Sequence, residues 1–347
     1  MPTTVPAQMR ALVLADFGTL LLEDRPTPLP APGEVLVRIV ATGICGSDLH
    51  GYTGENGRRQ PGQVMGHETV GIVAALGDGA TGHALGDVVV LNPNLACGTC
   101  ARCLEGNAHI CARRRVIGVD PAISSAFADY LAAPAANLVP FAGDVAVGAL
   151  VEPLAVGYHA ALRGGVDSDS RVLVLGGGPI GQAVAIACRR LGAASVLVSE
   201  PHPARRTLVA RLGFAVVDPG ADDVHESAGE IDVTIDAVGV SATLATALAA
   251  TAAGGTVVLV GMGAPTVELP AYAISTAERT LVGAFCYAPV HFADTAAWAA
   301  GASAELAPLI SRTVGPEQAQ AAFAGLADGS DPASKILVAF APDRLRS

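Results

Sequence analysis

Cys97, Cys100, Cys103 and Cys111 fall within fifteen residues of a chain that has only seven cysteines. Their spacing, C-x2-C-x2-C-x7-C, sets four sulfur donors on one short segment, and four thiolates suit Zn²⁺ in a tetrahedron with no position left open. The same density suits disulfides, so the compartment decides between the two. The opening stretch MPTTVPAQMRALVLADF lacks the basic-then-apolar pattern of a signal peptide. That points to the cytoplasm, and there to metal rather than disulfides. His109 lies inside the cluster, but four cysteines already complete the coordination, so it is expected to face solvent from a loop. A closed site takes no substrate. The cluster therefore reads as a clip that orders a lobe over about 93–115.

The chemistry must lie elsewhere. A second set of donors is Cys45 in ATGICGSDLH (41–50), His67 and Glu68 in VMGHETVG (64–71), and Glu152 in LVEPLAVGYHA. One cysteine and one histidine are more often structural. Three or four such residues beside a nucleotide-binding half suit an open, catalytic zinc site. Cys45 and Glu152 together cancel the charge of the metal. Glu68 either binds directly, which would weaken the Lewis acid, or orients the other ligands from behind.

The third constellation is VLVLGGGPIGQAVAIACRRLGA, with Gly176, Gly178 and Gly181 in G-x-G-x-x-G spacing between a strand and a helix. The first glycine permits the turn, the second lets a pyrophosphate approach, and the third lets helix and sheet pack closely. The helix N-terminus offers its N–H groups to the phosphates. Glu200 closes the next strand 19 residues after Gly181, placed to accept hydrogen bonds from an adenosine ribose and to repel a 2′-phosphate, which favours NAD over NADP. Arg205 and Arg206 are close enough to favour the opposite choice. Pro179 and Ile180 in the turn, with Ala237 and Val238 near the end of the buried run IDVTIDAVG, complete the coenzyme set. Cys188, inside the apolar helix, reads as core.

Two textures position these groups. Up to about residue 150 short β-like runs, such as GEVLVRIVA (33–41), TVGIVAAL (69–76) and GDVVVLNP (86–93), are separated by Gly, Pro and Asp turns. From about 171 apolar runs alternate with helices, which implies a parallel sheet covered on both faces. The last segment has a helix around HFADTAAWAAG and ends in a strand, SKILVAF (334–340). The fold class is thus α/β, a β-rich domain followed by a doubly wound one. At 347 residues there is length for both. The net charge of −11 argues against nucleic acid and anionic membrane as partners. No apolar run reaches the length of a membrane span.

With these motifs in hand, the chain resembles the zinc-containing medium-chain dehydrogenases/reductases, nearest the sorbitol, butanediol and threonine dehydrogenase branch. GHETVGIVAALGDGA, CGSDLH, the four-cysteine lobe and GGGPIG carry the resemblance, in the family's order and over essentially the whole length. It implies a GroES-like catalytic domain over 1–155, a Rossmann domain binding NAD over 156–286 and a return to the catalytic domain over 287–347, with the active site between them. It also implies two zinc ions per chain, and Glu152 at the position of a second cysteine ligand in classical alcohol dehydrogenases. The implied reaction takes an alcohol to a ketone with hydride passing to NAD⁺. Its proton leaves through Ser47 and the nicotinamide ribose to His50. Asp48, in the same motif, reads as structural. A homodimer or homotetramer follows from the resemblance alone.

One departure bears on substrate. Relatives that take sorbitol have an Arg-Tyr pair where this chain reads GAFCYAP, so Tyr287 fits and Cys286 replaces the arginine. Losing five donors removes the group best suited to a long polyol. The expected substrate is a less polar secondary alcohol, a diol or a cyclic alcohol, with a polyol or threonine-type substrate as the alternative. A zinc-independent quinone or enoyl reductase, or a non-catalytic NAD-binding protein, would leave Cys45, His67 and Glu152 without work.

Overall fold

The computed structural model describes residues 5–345 except 56 and 124, with the backbone only at 225. It divides into two compact units, one comprising the chain up to Glu152 and from Phe292 onward, the other Pro153–His291. Both boundaries fall inside helices, Val151–Arg163 and Pro289–Gly301, rather than in linkers.

The first unit is built on a seven-stranded sheet. Its order is Ile310–Val314, Lys335–Ala339, Glu34–Gly43, Glu68–Leu76, Val88–Leu91 and Leu138–Pro140, with Tyr130–Pro134 also paired to Glu34–Gly43. The Glu34–Gly43 strand is buried along nearly its whole length. Val, Leu and Ile on both of its faces meet core on either side, as a central strand requires. Phe127 and Phe323 meet edge to face at 5.5 Å in this core, a favourable geometry for aromatic pairs.

Register in this sheet decides the site. Gly43 pairs with Glu68 across the antiparallel strands, and with Leu337 on its other side. The pairing continues through Ile44, whose N–H donates to the Ile336 carbonyl. Lys335 therefore arrives beside Cys45, the second residue after the strand. Those three positions are far apart in sequence and adjacent in the sheet.

The second unit is a six-stranded parallel sheet in the order Ala215–Val217, Ser195–Ser199, Arg171–Leu175, Ile231–Asp236, Thr251–Leu259 and Thr280–Gly283. Numbered along the chain this is 3-2-1-4-5-6, a doubly wound sheet whose order reverses at Arg171–Leu175. Ligands of such sheets bind beyond the carboxyl ends of the strands at that point. No helix among the described residues is long and apolar enough to cross a membrane.

Candidate active site

The four-cysteine lobe is closed. Cys100 caps the short helix Ala101–Leu104, Cys103 lies one turn along it, and the turn Ala108–Ile110 delivers Cys111. The Sγ–Sγ separations are 3.5 Å for Cys100–Cys103 and Cys97–Cys111, and 3.8 Å for Cys97–Cys103 and Cys100–Cys111. A zinc tetrahedron with bonds of about 2.3 Å has edges of about 3.8 Å. A disulfide needs about 2.05 Å, and all four thiols are free. Backbone N–H groups of Thr99 and Cys100 pull the Cys97 thiol down to about 5, whereas burial and the Cys100 sulfur push Cys103 up to about 12. Four sulfurs this close cannot all ionise unaided, and a dication lets them. His109 is buried, contrary to the solvent-facing position expected of it. The turn that carries Cys111 inward carries its neighbour with it. Cys188 is buried in its helix as expected.

Cys45, His67 and Glu68 form the second cluster, their ligand atoms all within 4.8 Å of one another. Cys45 lies two residues past the Glu34–Gly43 strand, at the N-cap of the helix Gly46–Thr53, while Glu68 opens the neighbouring strand and His67 immediately precedes it. Gly43 is bare because a Cβ there would lie 2.2 Å from Glu68 Oε2. Glu68 is fully buried, and both its oxygens accept from Lys335 Nζ, at 2.7 and 2.5 Å. Lys335 Nζ also donates to the Ile44 carbonyl at 3.0 Å. Burial alone would lower the lysine pKa, but the charges of Glu68, Cys45 and Glu152 outweigh it and raise it. Glu152 lies outside the three-residue cluster, buried in the first turn of Val151–Arg163 yet close enough to act on Lys335.

Asp48 does more than cap a helix. Its Oδ2 accepts from the Cys45 N–H at 3.3 Å, and its Oδ1 lies 3.5 Å from His67 Nδ1 and 3.3 Å from Arg59 Nη2. Burial opposes the ionised carboxyl, but His67 and Arg59 hold its pKa below the usual value. Burial likewise opposes the imidazolium of His67, and the charges of Asp48 and Cys45 raise its pKa well above the usual value. Asp48 thus sets a negative charge behind Nδ1 of His67 without a hydrogen bond to it, on the ring edge that carboxylates support in metal-bound imidazoles. Reading Asp48 as structural missed this, and nothing in the sequence marked Arg59 or Lys335. Ser47 is half-buried and His50 exposed, three residues apart on one face of the helix.

In the second unit the glycine turn follows the Arg171–Leu175 strand and enters the helix Pro179–Arg190. Gly176 has φ 94°. A Cβ on Gly181 would come 1.7 Å from the Gly176 carbonyl oxygen, whereas one on Gly178 would meet nothing within 4 Å. Turn and helix thus press together on one side and leave Gly178 open on the other, the cradle a pyrophosphate needs. Glu200 is buried, with Oε2 accepting from the Gly177 N–H and Oε1 from the His202 N–H, both at 2.7 Å. Arg206 is tied to the Glu200 carbonyl at 3.0 Å and to Asp218 at 2.8 Å, while Arg205 is exposed. The Ala237 N–H donates to the Leu175 carbonyl, which brings Ala237 and Val238 beside the turn.

The alcohol dehydrogenase GroES-like domain family matches residues 31–144, and the zinc-binding dehydrogenase family matches residues 179–301. L-galactonate-5-dehydrogenase of Escherichia coli (strain K12) is 33% identical over 82% of this chain and 85% of its own. The chain belongs to the zinc-type medium-chain dehydrogenases. Sorbitol dehydrogenase of Bacillus subtilis (strain 168) is 32% identical over 83% of this chain and 85% of its own. Among solved structures, a protein described as a zinc-binding dehydrogenase from Sinorhizobium meliloti 1021, bound to NADP, superposes with a TM-score of 0.88. It is 31% identical and covers 96% of this chain and 100% of its own. The zinc-type dehydrogenase described here is thus an oxidoreductase acting on a CH–OH group. Its α/β fold joins a GroES-like sheet to a Rossmann sheet.

Proposed function

We propose that this chain oxidises a secondary alcohol to a ketone with NAD⁺, and catalyses the reverse, using zinc held by Cys45, His67 and a carboxylate. The convergence of Cys45 and His67 on one point, with Asp48 fixed behind the imidazole, carries the reading. Zinc at such a site supplies a Lewis acid, which takes the pKa of a bound water from 15.7 to about 7. Glu68 is engaged on both oxygens by Lys335, and Glu152, buried in the same unit, is the carboxylate we assign to complete the coordination. Ser47, two residues past Cys45, accepts the alcohol proton, and His50 one turn on releases it to solvent. The second zinc belongs to Cys97, Cys100, Cys103 and Cys111, where it orders the lobe. Gly176, Gly178, Pro179, Ile180 and Gly181 receive the pyrophosphate of NAD, and Glu200 its ribose.

The substrate reading rests on Cys286. This residue stands at φ 48° ahead of the buried Tyr287 and offers one weak donor where a guanidinium would offer five. A second reading, a polyol or sugar acid as substrate, draws on the relatives that act on L-galactonate and sorbitol. NADH formation with a panel of hydrophobic secondary alcohols, diols, polyols and sugar acids tests both. Higher kcat/KM for an alcohol with an apolar flank supports the first, and a preference for sorbitol or a sugar acid supports the second.

A cytoplasmic homodimer or homotetramer completes the proposal. The Thr280–Gly283 strand ends its sheet, and exposed Met262, Leu269 and Tyr272 in the same unit offer apolar surface to a second copy. Light scattering on the purified protein gives the number of subunits.

A further inference from the structure

Arg59 is a cation with no place at the surface. Only 2% of it is exposed, and its guanidinium meets Asp48 Oδ1 at 3.3 Å. Its stem lies across the helix Gly46–Thr53 at Gly51, where a Cβ would come 2.2 Å from Arg59 Cγ and 3.1 Å from Arg59 Cβ. A glycine inside a helix costs about 1 kcal/mol relative to alanine, and here it leaves the channel through which the arginine reaches Asp48. The carboxylate at the end of that reach faces three elements at once. It meets the Cys45 N–H at the cap of its own helix, His67 just ahead of the next strand, and Arg59 from the loop between them.

We propose that Arg59 is a positioning residue for the catalytic metal site, locking the Asp48 carboxylate in the orientation that serves both Cys45 and His67. A carboxylate's terminal torsion is broad and roughly two-fold, so the Cys45 contact alone does not hold Oδ1 toward the imidazole. Arg59 removes that freedom with a second contact, on Oδ1 itself. Its charge also compensates a carboxylate that is wholly buried, and an uncompensated buried charge is strongly destabilising. The inference rests on the reading of Cys45 and His67 as zinc ligands.

The test follows zinc release from the purified holoenzyme to an excess of chromogenic chelator, for the unmutated protein, Arg59→Met, Arg59→Lys and Gly51→Ala. The four-cysteine zinc serves as a reference within each molecule. Arg59→Met is expected to speed one release phase by about 10–100-fold and leave the other unchanged, the range found when partners of metal ligands are removed. Arg59→Lys should recover part of that loss. Gly51→Ala should speed the same phase by displacing the arginine, even though alanine is the better helix former. Should Arg59→Met fail to fold, Gly51→Ala decides. Unmutated release rates in Arg59→Met and Gly51→Ala, or equal acceleration of both phases, would overturn the role given to Arg59. A single phase and one zinc per chain in the unmutated protein would instead remove the metal-site reading beneath it.

Discussion

Lys335 Nζ donates to both carboxylate oxygens of Glu68, at 2.7 and 2.5 Å, across 267 residues of sequence and past the end of the Glu34–Gly43 strand that lies between their two strands. The ammonium side chain is 4% exposed and the carboxylate side chain 1%. With Arg59 against Asp48, this makes two buried cations matched to two buried carboxylates.

Breaking that pair should be costly. Removing one partner of a buried ion pair leaves the other charged and uncompensated, at about 3–5 kcal/mol. Lys335→Met should therefore lower stability by about that amount, read from urea denaturation of the zinc-loaded protein. Adding Glu68→Gln to it should restore a large part. A single mutant as stable as the unmutated protein would contradict the pairing. The raised pKa of Lys335 gives the sign with pH. Its contribution is fully present below the lysine's ordinary pKa of about 10.4, and is lost as pH rises through the higher folded value.

Metal binding at the second cluster should strengthen as pH rises. The pKa of His67 stands well above its ordinary value through Asp48 and Cys45, against the pull of burial. Zinc must displace that proton. In the metal-free protein the imidazolium's stabilisation is full below about 6.5 and fades as pH rises through the raised folded value, while zinc affinity gains over the same window. Competition with a chelator at a series of pH values measures it. A pH-independent affinity would mean that His67 does not bind the metal.

Coenzyme choice should follow Glu200. In the ribose-binding role proposed for it, its buried carboxylate would meet a 2′-phosphate with like charge, so NAD⁺ should exceed NADP⁺ in kcat/KM by on the order of 10–100-fold. Glu200→Gln, which keeps an acceptor for a backbone N–H, should narrow the gap. Equal use of both coenzymes by the unmutated protein would contradict the assignment, and would give exposed Arg205 the larger say.

Residue type and local spacing made some of this readable in the sequence. Gly176, Gly178 and Gly181 describe a turn that local rules determine, and the parallel sheet around it follows from alternating runs of apolar residues. Cys45, His67 and Glu68 stand out because soft and borderline ligands are rare on β-runs. Lys335 did not stand out. A lone lysine opening the run KILVA reads as a strand edge facing water, and only the register that sets Leu337 beside Gly43 turns it inward. Arg59 was hidden for the same reason, since nothing local distinguishes it from Arg58. Asp48 was left as structural because nothing local in CGSDLH shows that its carboxylate meets His67 and Arg59. His109 was misread because its burial is imposed by Cys111 two residues on. Local chemistry was legible, and long-range compensation of charge was not.

The central claim is that one cysteine cluster shapes the protein and the other performs its reaction. Cys45→Ser and Cys103→Ser, compared for zinc content, melting temperature, NADH binding and kcat, test it most directly. Cys45→Ser should lose one of its two zinc ions, keep its fold and its NADH binding, and lose turnover by orders of magnitude for want of a Lewis acid. Cys103→Ser should melt earlier or come apart as an oligomer, because structural zinc contributes folding energy. Near-normal turnover in Cys45→Ser, or abolished catalysis in a fully stable and assembled Cys103→Ser, would contradict the account.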